Sequence, residues 1–157
     1  MSERLRRAID GHRSDMARTT DAQRTTRTNR APQLRYVRTF DCAAGRLWNL
    51  ITKPELLSTW LGPVALSDTE HGGFTVVTGP QTQETGIVAT CEPPHYFQAS
   101  FDNPGHQPST VLVDVVPAVR GTHFILTHGG IRNGQIHHFD LFWTAGLERL
   151  RQQAALR

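Results

Sequence analysis

The sequence predicts an α+β domain in which a strongly curved antiparallel sheet of about six or seven strands wraps around one long C-terminal helix. Three features predict it. Between residues 64 and 127, short apolar stretches alternate with turn residues, and no long helical pattern interrupts them. That spacing reads as an antiparallel meander. Over residues 137–156, Phe139, Phe142, Trp143, Leu147, Leu150 and Ala154 recur at helical spacing and form a broad apolar stripe. Two short helical stretches follow the first strand. One amphipathic helix must bury its stripe against the sheet, and a sheet this wide has to curl to receive it. A cavity can persist where the curled sheet meets the helix.

The elements follow in order. Residues 34–40 place Leu34, Tyr36, Arg38 and Phe40 on one parity, a mostly apolar strand face. Asp41 can cap a helix over 43–51 with Leu47, Trp48 and Ile51 buried. Thr52 opens a second short helix, with Pro54 in its first turn and Glu55 completing a capping box. Leu56, Leu57 and Trp60 form its apolar face, and Gly62-Pro63 ends it. Strands are expected at 64–67, 74–78, 84–92, 96–101, 110–116 and 122–127. Turn residues at Gly72-Gly73, Gly79-Pro80, Pro93-Pro94, Asn103-Pro104-Gly105 and Arg120-Gly121 separate them.

The charge is unevenly spread. The chain of 157 residues carries a formal charge of +3. Residues 1–30 hold eight arginines against four acids, and the remainder holds nine basic residues against ten acids. Any nucleic-acid contact therefore has to come from the Arg-rich tail. From Thr19 to Arg30 no aromatic and no aliphatic residue larger than alanine occurs. Such a segment cannot bury enough apolar surface to offset its ordering entropy. Residues 1–31 thus read as a disordered Arg/Thr-rich tail and 32–157 as the folded domain. No apolar run is long enough to insert in a membrane and no secretory signal is visible, so a cytoplasmic location is expected. Cys42 and Cys91 are too few for a disulfide framework and read as free buried thiols.

The order of the motifs resembles a known superfamily. They are Phe40 before Ala43-Ala44; Leu47-Trp48, then Leu50-Ile51-Thr52-Lys53-Pro54-Glu55; Trp60-Leu61-Gly62; and Gly72-Gly73-Phe74. Further on come Gly86-Ile87-Val88 leading to Glu92-Pro93-Pro94, Gly121-Thr122 leading to Leu126-Thr127-His128, and Phe142-Trp143 leading to Leu147-Glu148-Arg149-Leu150. Over residues 34–154 the chain is similar to START-like (SRPBCC) domains, which have the helix-grip fold. Its motifs look like the branch of the heat-shock ATPase activator (Aha-type) homologues. In that branch the residue before the C-terminal Trp is usually Gly, and here it is Phe142, which adds bulk where helix meets sheet. The superfamily includes ligand carriers, polyketide cyclases and aromatases, self-resistance proteins and co-chaperone modules.

What the resemblance implies is the binding of a hydrophobic or aromatic small molecule between the sheet and the C-terminal helix. A cofactor-independent cyclase, dehydratase or hydrolase is the enzymatic alternative, and a co-chaperone-like module with a protein partner is the third. No cofactor and no metal is expected. A zinc site from His128, His137 and His138 is poor, because adjacent residues on a helix point about 100° apart and both rarely reach one metal.

The wall of the cavity is expected to include Trp60, Phe74, Phe101, Phe124, Leu126, His128, Phe139, Phe142 and Trp143. Two catalytic candidates stand out. His128 shares the parity of Phe124 and Leu126 and would point at the cavity rim as a general base, or be a structural residue at the strand end. Asp114 shares the parity of Leu112 and Val116 and could face inward with a raised pKa. If instead Val111, Val113 and Val115 face inward, Asp114 is on the solvent side; the three valines favour this second register.

Overall fold

A computed structural model describes residues 33–66, 72–103 and 105–156. The expected tail, residues 1–31, lies outside the described residues. The domain is a seven-stranded, wholly antiparallel sheet in the order β1-β7-β6-β5-β4-β3-β2. In chain order these are β1 (Leu34–Phe40), α1 (Ala44–Thr52), α2 (Pro54–Leu57), β2 (Val64–Leu66), β3 (Gly73–Gly79) and β4 (Thr82–Glu92). Then come β5 (Tyr96–Phe101), β6 (Ser109–Pro117), β7 (Thr122–Gly129) and α3 (Ile136–Ala155). The first and second strands are opposite edges, so α1 and α2 carry the chain from one edge to the other. This is the helix-grip arrangement.

Every member of the predicted α3 stripe is buried: Phe139, Phe142, Trp143, Leu147, Leu150 and Ala154. Gly146 joins them because the helix passes close to the Trp60 backbone; a Cβ there would stand 3.3 Å from the Trp60 carbonyl oxygen. Arg149 Nε donates to the same oxygen at 2.9 Å. At the other end of the helix, Tyr36 donates its hydroxyl hydrogen to Asp140 Oδ1 at 2.6 Å. Burial, with the Asp140 carboxylate beside it, pushes the Tyr36 phenol well above its usual range. These contacts fix the helix to the Trp60 segment toward one end and to β1 toward the other.

Both expected helix caps are corrected. The N-cap of α1 is Ala43 without a side-chain hydrogen bond, and the helix starts three residues past Asp41. The N-cap of α2 is Lys53, also without one. Thr52 is the last residue of α1, and its hydroxyl donates back to the Trp48 carbonyl at 2.6 Å. A capping box needs Thr52 outside both helices, and the preceding helix claims it.

On β6 the valines win: Val111, Val113 and Val115 are buried, which places Asp114 on the outer face, paired in register with Tyr96 and Ile125. The expectation that both cysteines are buried is also corrected, since Cys42 is half-buried and Cys91 exposed.

Candidate functional site

A cleft of about 310 Å³ lies between the sheet and α3 and is partly open to solvent. Its sheet side is built by the inward-facing Phe97, Ala99, Phe101, Val111, Val113 and Leu126. The segment from the end of α1 to β2 supplies Ile51, Leu57, Trp60, Leu61 and Val64. The helix contributes Phe142 and Trp143. Leu66 and Val88 also line it, yet they are 49% and 40% exposed. Their exposure marks the mouth, because both belong to the inward face of the sheet.

Strand geometry explains the less obvious wall residues. On β4 the inward positions are Glu84, Gly86 and Val88, all of even number. The register then shifts between Val88 and Thr90, leaving Ala89 as an extra residue. The bulge switches the inward parity, and Cys91, opposite Phe97, faces the cleft. Gly86 has its own reason. The Phe74 ring lies over it, and a Cβ there would meet Phe74 Cζ at 2.6 Å and the Ser100 carbonyl oxygen at 2.2 Å.

The wall is almost devoid of free polar groups. Among the described residues its polar side chains are Thr52, whose hydroxyl serves the Trp48 carbonyl, and Cys91, whose thiol is pushed up in pKa by burial. The two indole N–H groups are also occupied. Trp60 Nε1 donates to the Leu50 carbonyl at 2.9 Å, and Trp143 Nε1 donates to His128 Nδ1 at 3.0 Å. Apolar molecules therefore find dispersion partners and flat aromatic faces here, and few groups that need a polar mate.

Of the nine wall residues expected from sequence, Trp60, Phe74, Phe101, Leu126, Phe142 and Trp143 border the cleft. Three stand behind it. Phe124 is fully buried against Phe40, edge to face at 5.7 Å. Phe139 stacks on the Phe101 ring at 5.8 Å. His128 has no exposed surface and sits edge-on to Phe101 and Phe139, so it does not reach the rim. Strand parity for Phe124 and His128 and helical spacing for Phe139 placed all three on the right face but could not tell wall from core. Cys91, Phe97, Val111 and Val113 were missed as wall residues. Parity could have found the last three, whereas Cys91 depended on a bulge.

His128 has the connections of a catalytic histidine with the polarity reversed. An indole N–H can only donate, so Nδ1 must accept. The neutral ring then carries its hydrogen on Nε2, which donates to Ser109 Oγ at 2.8 Å. In a Ser-His-Asp triad the third group accepts from Nδ1–H and leaves Nε2 free to take the serine proton. Here Nε2 is already protonated. Burial lowers the His128 pKa to about 4, which keeps the ring neutral. The trio is thus a structural hydrogen-bonded chain and not a proton-abstracting dyad. Asp114, on the outer face, has no access to the cleft.

A family model described as activator of Hsp90 ATPase homolog 1-like protein matches residues 41–155. The chain belongs to this family. The members of its fold among solved structures include protein MLL2253 from Mesorhizobium loti, at 19% identity and a TM-score of 0.67, covering 77% of this chain and 95% of that one. CalU16 from Micromonospora echinospora is similar at 20% identity and a TM-score of 0.67, covering 80% and 75%. DynU16, described as a protein in the dynemicin biosynthetic locus, is similar at 15% identity and a TM-score of 0.65, covering 76% of this chain and 46% of DynU16. These likenesses establish the helix-grip, START-like fold of this family member and leave its chemistry to its own side chains. No curated protein matches the chain in sequence. Among the described residues, no helix is long and apolar enough to cross a membrane.

Proposed function

We propose that this protein holds an apolar, aromatic or polyketide-like small molecule in the cleft between sheet and α3, as a carrier or sequestering protein. The observation that carries this reading is the wall itself: aromatic side chains from β3, β5, α3 and the segment after α2, with Thr52 and Cys91 as its polar members among the described residues. The volume, about 310 Å³, is at the small end for ligand sites, which span roughly 300–1,000 Å³. Phe142 accounts for part of this, since its ring fills space that a glycine would leave open. A flat ligand that slides between Trp60, Phe97 and Trp143 suits the shape better than a bulky one. The wall also favours holding over turnover, because its one titratable side chain among the described residues is Cys91, whose thiol burial holds in the protonated form.

The test is a fluorescence titration with 8-anilinonaphthalene-1-sulfonate, followed by displacement with a library of planar aromatic compounds. Saturable binding and a raised melting temperature are expected. A ligand at one hundred times its Kd should stabilise the protein by about 2.7 kcal/mol. Cys91→Trp, which fills the mouth, should abolish binding while the fold survives. A library without a single stabilising compound, or binding unaltered by the blocked mouth, would refute the reading.

A further inference from the structure

A second pocket, of about 420 Å³, lies on the other side of Phe101, which borders both spaces. We infer that this pocket is a binding site for a neutral polyhydroxylated molecule of monosaccharide size. Its residues are different from those of the cleft except for Phe101, and the inference does not depend on the function proposed above.

The pocket combines an aromatic floor with amide and hydroxyl walls. Phe101 and Phe139 form the floor, their rings nearly parallel at 13° and 5.8 Å apart. Both rings are buried, as is Ile131 beside them. The two rings stack on each other and Phe101 also stacks on Trp143, so they give a ligand a narrow apolar contact at the base of the pocket, under walls that are polar. The rim carries Gln81, Gln83, Gln107 and Gln135, and all four are exposed. Each amide offers both a donor and an acceptor, which matches hydroxyl groups that do the same.

Ser109 gives the pocket a directed donor. Its oxygen accepts from His128 Nε2, because Trp143 holds Nδ1 as an acceptor. The hydroxyl hydrogen is therefore left to point elsewhere, and the side chain borders the pocket. A ligand oxygen placed there completes a chain of hydrogen bonds running from Trp143 through His128 and Ser109, each polarising the next.

Charge selects against ions. Glu84 is buried in the wall, with Asn103 Nδ2 donating to its Oε2. Asn103 is itself held, its Oδ1 accepting from Thr85 N at 2.8 Å and Thr85 Oγ1 at 3.0 Å. Burial raises the Glu84 pKa. Arg132 stands in the same pocket with His106 Nδ1 accepting from its guanidinium. With one acid and one guanidinium in its wall, the pocket has no single sign of charge to draw either an anion or a cation. A neutral ligand can use both as hydrogen-bonding partners without meeting a like charge.

Saturation-transfer NMR on the whole protein, with methyl glycosides of glucose, galactose and rhamnose at millimolar concentration, tests this. Transfer to the ring protons of at least one glycoside is expected. Ser109→Ala should weaken it about fivefold, the usual worth of one neutral hydrogen bond. Gln107→Ala combined with Gln135→Ala changes only exposed side chains, so it tests the site even if Ser109→Ala fails to fold. That pair should weaken glycoside binding by at least as much and leave 8-anilinonaphthalene-1-sulfonate binding in the cleft unchanged. Absence of transfer to all three glycosides would overturn the inference. So would transfer that survives the glutamine pair, or stronger binding of acetate or tetramethylammonium than of any glycoside.

Discussion

The indole nitrogen of Trp143 and Nδ1 of His128 stand 3.0 Å apart, buried, with the indole as the donor. That contact sets the tautomer of the imidazole and so the direction of every hydrogen bond beyond it. Burial of the ring that it holds in place makes the histidine sensitive to pH.

Lowering the pH should destabilise the fold through His128. Its pKa is about 4 when folded and 6.5 as an ordinary histidine, so the unfolded chain binds the proton first. The contribution is fully present above pH 6.5 and is lost as pH falls toward 4, a total on the order of 3 kcal/mol. Urea unfolding from pH 7.5 to 4, compared with His128→Gln, isolates this effect. The wild type should lose more stability than the variant across the window, and parallel curves would show that His128 does not carry it.

Glu84 should act with the opposite sign. Burial raises its pKa, so its carboxyl group favours the folded state in acid and opposes it once pH rises through the folded value. Glu84→Gln keeps an oxygen for the Asn103 amide and removes the charge. The variant should melt higher than the wild type at pH 7.5 and match it near pH 4. Thermal melts at the two pH values read the difference directly.

Phe142→Ala should enlarge the cleft. Truncating a buried phenylalanine costs about 3–5 kcal/mol, and a ring that already borders open space belongs at the lower end. The variant should be less stable by about 3 kcal/mol and bind larger aromatic compounds that the wild type excludes. Calorimetry with ligands of graded size checks both parts.

Cys91 reports on occupancy. Its thiol faces the cleft and burial raises its pKa, so disulfide reagents should modify it slowly at pH 7 and faster as pH rises. In a Cys42→Ser background, a bound aromatic ligand should suppress the remaining reactivity. Unchanged labelling with the cleft saturated would place the ligand elsewhere.

The fold was readable in the sequence because its signals are periodic. The stripe from Phe139 to Ala154 and the valines of β6 declare their faces by spacing alone, and turn glycines such as Gly121 punctuate the strands. The helix caps at Asp41 and Thr52 were misread because a capping residue is recognised only once the helix boundary is known. The site was partly legible. Parity selected the inward faces, but whether an inward ring borders a void or fills the core depends on packing in three dimensions, which separates Phe142 from Phe124. The reversed polarity of His128 was hidden altogether, since Trp143 lies fifteen residues away on another element.

The extra residue at Ala89 sets the chemical character of the mouth. Because the bulge shifts the pleat, Cys91 looks into the cleft and Thr90 does not. If Ala89 were instead taken into the regular ladder, plain alternation would turn the Thr90 hydroxyl, in place of the Cys91 thiol, toward the ligand. A one-residue slip of β4 near the open side would thus change what the mouth presents, while Leu47, Phe124 and Leu150 lie away from it in the core.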